Sequence, residues 1–167
     1  MPCLISKRQW HSNYISNILS SDQDRKTSQL IHDELIKRNY CYNFQDWNEG
    51  PQIKYYKKES DWNRNTNANF WPTSINTELR LYFRIANMDK ALEYIKNSPE
   101  HAVNNFLTSA NGCANWLSGK YATGISYQLD GKTIWRCDCC DSNFQATPNT
   151  QGYLYYINAV EMSDNKK

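Results

Sequence analysis

No stretch of this chain approaches the ~18 consecutive apolar residues that a membrane-spanning helix needs, so no membrane partner is expected. Met1 to Trp10 holds Lys7 and Arg8 but no apolar run, which argues against a secretory signal in that segment. The expected compartment is therefore reducing and cytoplasmic, where grouped thiols serve metal binding or reactivity more often than disulfides. Charge of one sign is lacking as well. The 19 Lys and Arg against 17 Asp and Glu leave a net +2, which does not favour a long nucleic acid as partner by bulk electrostatics. There is no phosphate loop, because Gly119-Lys120 has no glycine-rich run before it. Asp138, Asp141 and Glu161 stand singly, so the paired carboxylates of a glycosidase cleft are missing. No internal repeat stands out.

What is present reads as a single α+β domain spanning 1–167, an antiparallel sheet with helices packed on one face. A chain of 167 residues is long enough to bury a core without staples. Within residues 1–20, Tyr14, Ile15, Ile18 and Leu19 have the spacing of a short separate helix. Ser21 followed by Asp24 forms a capping box with the shorter acid and opens a helix to about Arg38, with Leu30, Ile31, Leu35 and Ile36 as its apolar stripe. Tyr40 to Trp47 alternates like a strand, Asn48 to Pro51 turns, and Ile53 to Lys58 returns as a second strand. Ser60 to Ser74 reads as a long polar loop. Thr77 to Ile85 is the clearest strand: Leu79, Leu81, Phe83 and Ile85 alternate with Glu78, Arg80, Tyr82 and Arg84. Asn87 caps a helix through Lys96, and Ser98-Pro99-Glu100 opens another to about Leu107. Asp130-Gly131 is a two-residue hairpin turn that sets Tyr127 opposite Ile134 and Ser126 opposite Trp135. Gln151 to Glu161 closes the chain as a helix, or as a last strand through Tyr153 and Tyr155.

Cys137, Cys139 and Cys140 lie within four positions, and Cys113 precedes them on a Gly- and Asn-rich segment. Zinc needs about four N/S ligands, usually as two short-spaced pairs. Cys137 and Cys140 have the spacing of one such pair; Cys113, with Cys139 or His101, would complete the set. The second clean pair is missing. Two other readings stand beside zinc: small buried hydrophobes next to Trp135, and a reactive thiol, with Cys113 the best nucleophile. A Cys/His enzyme would need His32 or His101 beside a thiol.

Leu79 to Ile85, the helix pair, the Gly112-Cys113 loop and Gly124 to Lys132 followed by Trp135-Arg136-Cys137 together form a pattern over the second half of the chain. It resembles a loosely defined family of small, uncharacterised bacterial proteins, in which a Cys-bearing loop precedes a hairpin ending in Cys and a short terminal helix. The resemblance implies that Cys113 and Cys137 meet in space, and that the chain is of bacterial or phage origin, as its Asn-rich composition also does. It carries no activity. This chain departs from the pattern by having one Cys in the loop.

Aromatic and basic residues interleave in Lys54-Tyr55-Tyr56-Lys57-Lys58, Trp62-Asn63-Arg64 and Arg80-Tyr82-Arg84. A ring stacks on a base while Arg or Lys meets phosphate. The plain alternative is a solvated sheet face with Tyr where strands favour it. The expected function is a non-enzymatic binding protein that holds a small anionic ligand such as a nucleotide, or a partner protein, through Tyr56, Trp62, Arg64, Trp71, Arg80, Tyr82 and Arg84. The alternatives are a zinc-stabilised interaction module on Cys113, Cys137, Cys139 and Cys140, a cysteine-dependent enzyme, and a single-stranded nucleic-acid binder. A homo-oligomer in which a second subunit covers the aromatic face fits the same residues.

Overall fold

The computed structural model describes residues 17–47, 50–57, 68–108, 124–137 and 143–164. It is an α+β chain with an antiparallel sheet. By contact it divides into two compact units: residues 1–83 with 147–154, and residues 84–146 with 155–167.

In the first unit, helix α1 (Asp22–Lys37) precedes three strands, β1 (Cys41–Trp47), β2 (Gly50–Tyr56) and β3 (Phe70–Ile75), and all but the last residue of a fourth, β4 (Glu78–Arg84). Each strand pairs antiparallel with the next. The cap forms as the sequence implies, with the Ser21 side chain accepting from Asp24 N–H at 3.0 Å. The helix buries Thr27, Ser28, Ile31 and Leu35, an i, i+4 stripe. Ile36, assigned to the stripe by its apolarity, is 40% exposed. Its angular position lies off the face that Ile31 and Leu35 share, and the small polar Thr27 and Ser28 fill that face instead.

The first unit departs from the sequence reading at Phe70 to Ile75. The expected loop Ser60 to Ser74 lies outside the described residues as far as 67, but Phe70 onward is strand β3, seated between β2 and β4. Pro72 hid it, because proline gives no N–H to a ladder and argues against a central strand. β2 meets β3 through Gln52 with Thr73 and Tyr55 with Phe70, and Pro72 lies between those pairs. The β3–β4 turn puts Asn76 at φ 51° and Thr77 at φ 65°, which is unusual for a β-branched residue. The Thr77 carbonyl accepts from Ser20 N–H at 3.0 Å.

One face of β1–β4 meets α1. His32 Nδ1 lies 2.7 Å from the Tyr55 hydroxyl, and the His32 ring packs edge-on to Tyr42. Leu79 N–H donates to Asp24 Oδ2 at 3.1 Å. Burial holds the His32 pKa below its ordinary 6.5, partly opposed by the charge of Asp33. The folded state thus prefers a neutral ring that the unfolded state protonates from about pH 6.5 downward. Stability from this site is complete above that pH and is lost as pH falls towards the depressed folded value. Denaturant melts at successive pH values should show this loss in the wild type. His32→Gln should flatten that part of the profile; an unchanged profile would remove His32 as its source.

The second unit holds α2 (Met88–Lys96), α3 (Glu100–Thr108), the hairpin β5 (Gly124–Leu129) and β6 (Lys132–Cys137), the short strand β7 (Asn143–Ala146), and most of α4 (Tyr153–Asp164). Asn87 caps α2 through Lys90 N–H. The hairpin register is the expected one, Tyr127 with Ile134 and Ser126 with Trp135, over a turn in which Asp130 has φ 51° and Gly131 φ 69°. Residues 153–164 are helix, which decides against a last strand through Tyr153 and Tyr155. Phe106 of α3 is 2% exposed and packs against Phe144 at 5.3 Å and Tyr156 at 6.3 Å between ring centroids. The Tyr127 hydroxyl donates to the Phe106 carbonyl at 3.0 Å.

Candidate ligand-binding face

The strand register assembles the candidate face. Directly opposed residues of an antiparallel pair share a side of the sheet, and residues two apart on a strand do too. Thr73 opposes both Gln52 and Arg80, and Trp71 opposes Tyr82. The same register sets Lys54 across from Trp71. Gln52, Lys54 and Tyr56 of β2, Trp71 and Thr73 of β3, and Arg80 and Tyr82 of β4 therefore occupy one side. It is the side opposite to Tyr55, Phe70, Leu79, Leu81 and Phe83, all of which are buried.

At the centre, the Trp71 and Tyr82 rings lie parallel, with planes 2° apart and centroids 5.9 Å apart. This is the offset stacking that ring quadrupoles prefer. Both residues are half-buried. Arg80 stands beside them, also half-buried, with its guanidinium held by Glu78 Oε2 at 2.9 Å and by the Thr147 hydroxyl. Those contacts take two of the five N–H donors of a guanidinium. Partial burial lowers the Lys54 pKa by desolvating its ammonium. The exposed ring area and the cations thus lie on one side of three adjacent strands.

The structure brings Trp71 beside Arg80 and Tyr82 through strand β3, where the sequence reads as a loop, and Arg84 is the last residue of β4, on the same side of that strand as Arg80 and Tyr82. Tyr56 is on this side too, but it is fully buried, so its ring packs within the face instead of meeting solvent. Burial raises its hydroxyl pKa. Trp62 and Arg64 lie outside the described residues. Gln52 and Thr73 were not singled out from the sequence. Their only signal was alternation with Lys54 and Trp71, which is legible once β3 is known to be a strand. Lys57, part of the same basic run, turns elsewhere: its ammonium sits 4.3 Å from the Tyr40 ring centroid.

Of the thiol set, Cys113, Cys139 and Cys140 lie outside the described residues, and Cys137 is described only as the last backbone position of β6. The described free cysteine is Cys41, buried on β1 opposite Tyr56. Among the described residues, no group of three His, Cys, Asp or Glu is placed to hold a metal ion. His32 is engaged with Tyr55, and His101 packs edge-on to the Tyr155 ring at 5.9 Å. Asp138 and Asp141 are outside the described residues, and Glu161 lies on α4.

The second unit holds an open cavity of about 480 Å³ beside the start of α3, where Lys96, Ser98, Glu100, Asn104 and Asp130 meet. Its charges are mixed in sign, and Lys96 is already paired with Glu93 at 3.6 Å. No helix of the described residues is long and apolar enough to cross a membrane. The chain matches no protein-family description, no curated protein and no solved structure.

Proposed function

We propose that this chain is a binding protein whose β2–β3–β4 face holds a small anionic ligand bearing an aromatic ring, with a nucleotide as the type. One observation carries the reading. The parallel Trp71 and Tyr82 rings form a half-exposed platform, and Lys54 and Arg80 lie on the same side of the sheet. A base stacks on such a platform at a gain of about 1–3 kcal/mol, and the neighbouring cations meet its phosphate. Glu78 and Thr147 fix the Arg80 guanidinium before any ligand arrives, which reduces the ordering cost of binding.

Calorimetric titration of the purified protein with a panel of mononucleotides tests this. Wild type should bind at least one of them. Trp71→Ala should weaken that binding roughly ten- to hundredfold, in line with the loss of one stacking contact. Arg80→Ala should weaken it and flatten its salt dependence, while each variant keeps a cooperative melt. A wild type that binds no mononucleotide would refute the reading. A partner protein is the second occupant these residues suit, since Trp, Tyr and Arg are the side chains enriched at binding hot spots. In that case Trp71→Ala would abolish capture of a partner while mononucleotides leave the protein unchanged.

A further inference from the structure

Two buried polar atoms on the proposed face have no hydrogen-bond partner: Gln52 Oε1 and the Tyr56 hydroxyl. Gln52 is 6% exposed and Tyr56 0%. They flank Lys54 along β2, one step to either side of the register position opposite Trp71. Buried polar groups are almost always paired, because an unmet one costs about 1–3 kcal/mol. Ser74 Oγ, on the other side of β3, is also without a partner, but Gln52 and Tyr56 share one side of one strand next to the platform, where a bound ring could meet both. Tyr55, between them in sequence, points to the other side and has its partner in His32.

The two atoms differ in what they ask for. An amide oxygen only accepts, whereas a phenol hydroxyl can donate. We infer that the ligand of the Trp71–Tyr82 platform is a heteroaromatic ring with an amide- or amidine-like edge, a nucleobase, whose N–H donates to Gln52 Oε1 and whose ring nitrogen or carbonyl accepts from the Tyr56 hydroxyl. This rests on the function proposed above and adds the selectivity of the site. Both atoms are shut away from solvent, so the polar edge enters the face while the phosphate stays at the half-exposed Lys54 and Arg80. A site built to hydrogen-bond its ligand rejects an analogue that lacks the bonding groups, because its own buried atoms are then left unmet.

The test uses the full chain and two probes, a mononucleotide that wild type binds and phenyl phosphate, which has a ring and a phosphate but no polar edge. Wild type should bind the mononucleotide at least tenfold more tightly than phenyl phosphate. Tyr56→Phe removes one oxygen and little else. It should bring the mononucleotide down towards the level of phenyl phosphate, leave phenyl phosphate unchanged, and melt no lower than wild type. Gln52→Leu should act in the same direction. Equal binding of both probes by wild type, or mononucleotide binding that survives Tyr56→Phe, would overturn the inference while leaving the platform reading in place. A wild type that binds neither probe would remove both.

Discussion

Phe70→Ala should destabilise the protein by about 3–5 kcal/mol, the range for truncating a buried aromatic in a packed core. Phe70 is 0% exposed. It opposes Phe83 on β4 and Tyr55 on β2, and the Tyr40 ring meets it edge-on at 5.5 Å. Truncation leaves a cavity among large rings whose backbones are fixed by the strand ladders, so the site cannot collapse to refill it. Total stabilities run to about 5–15 kcal/mol, so the loss should be plain in a denaturant melt. Trp71→Ala, one residue along and on the other side of β3, should cost clearly less. Equal and small losses at the two positions would mean that this segment is the surface loop its sequence resembles.

The other large effect is expected at Phe106→Ala in the second unit, again about 3–5 kcal/mol. Phe106 contacts the rings of Phe144 and Tyr156, so one truncation withdraws support from β7 and from α4. Tyr156 is further held by Asn105 Nδ2, which donates to its hydroxyl at 2.6 Å, and burial pushes that hydroxyl up to about 12. Phe106→Leu keeps much of the volume and should fall between alanine and wild type. A melt of Phe106→Ala within about 0.5 kcal/mol of wild type, the span of ordinary surface changes, would contradict the packing of α3 against Phe144 and Tyr156.

Elements with a local chemical cause were legible before any fold was known. Ser21 and Asn87 satisfy the first N–H groups of α1 and α2 from their own side chains, a signal contained within four residues. Asp130-Gly131 supplies the two positive φ values its hairpin turn requires, so the register of β5 and β6 followed from the turn alone. The alternation from Glu78 to Arg84 set Arg80, Tyr82 and Arg84 on one side of β4 without reference to any neighbour.

The rest depended on partners distant in sequence. β3 has a proline at its centre and three consecutive buried residues, so it shows no alternation. It is a strand because β2 and β4 flank it. Only with β3 in place does Trp71 meet Tyr82. For the same reason Gln52 could not be assigned to the platform from sequence, since its link to Trp71 runs through Thr73. Ile36 looked like core by composition and is exposed, because tertiary packing chose the side of α1 that carries Ile31 and Leu35. The sequence by itself determined the caps, the hairpin turn and the two-sided strand β4, because each rests on chemistry among residues a few positions apart. Only the tertiary structure decided which rings and cations share a face and which polar atoms are buried there, because those properties belong to pairs of strands that no local signal connects.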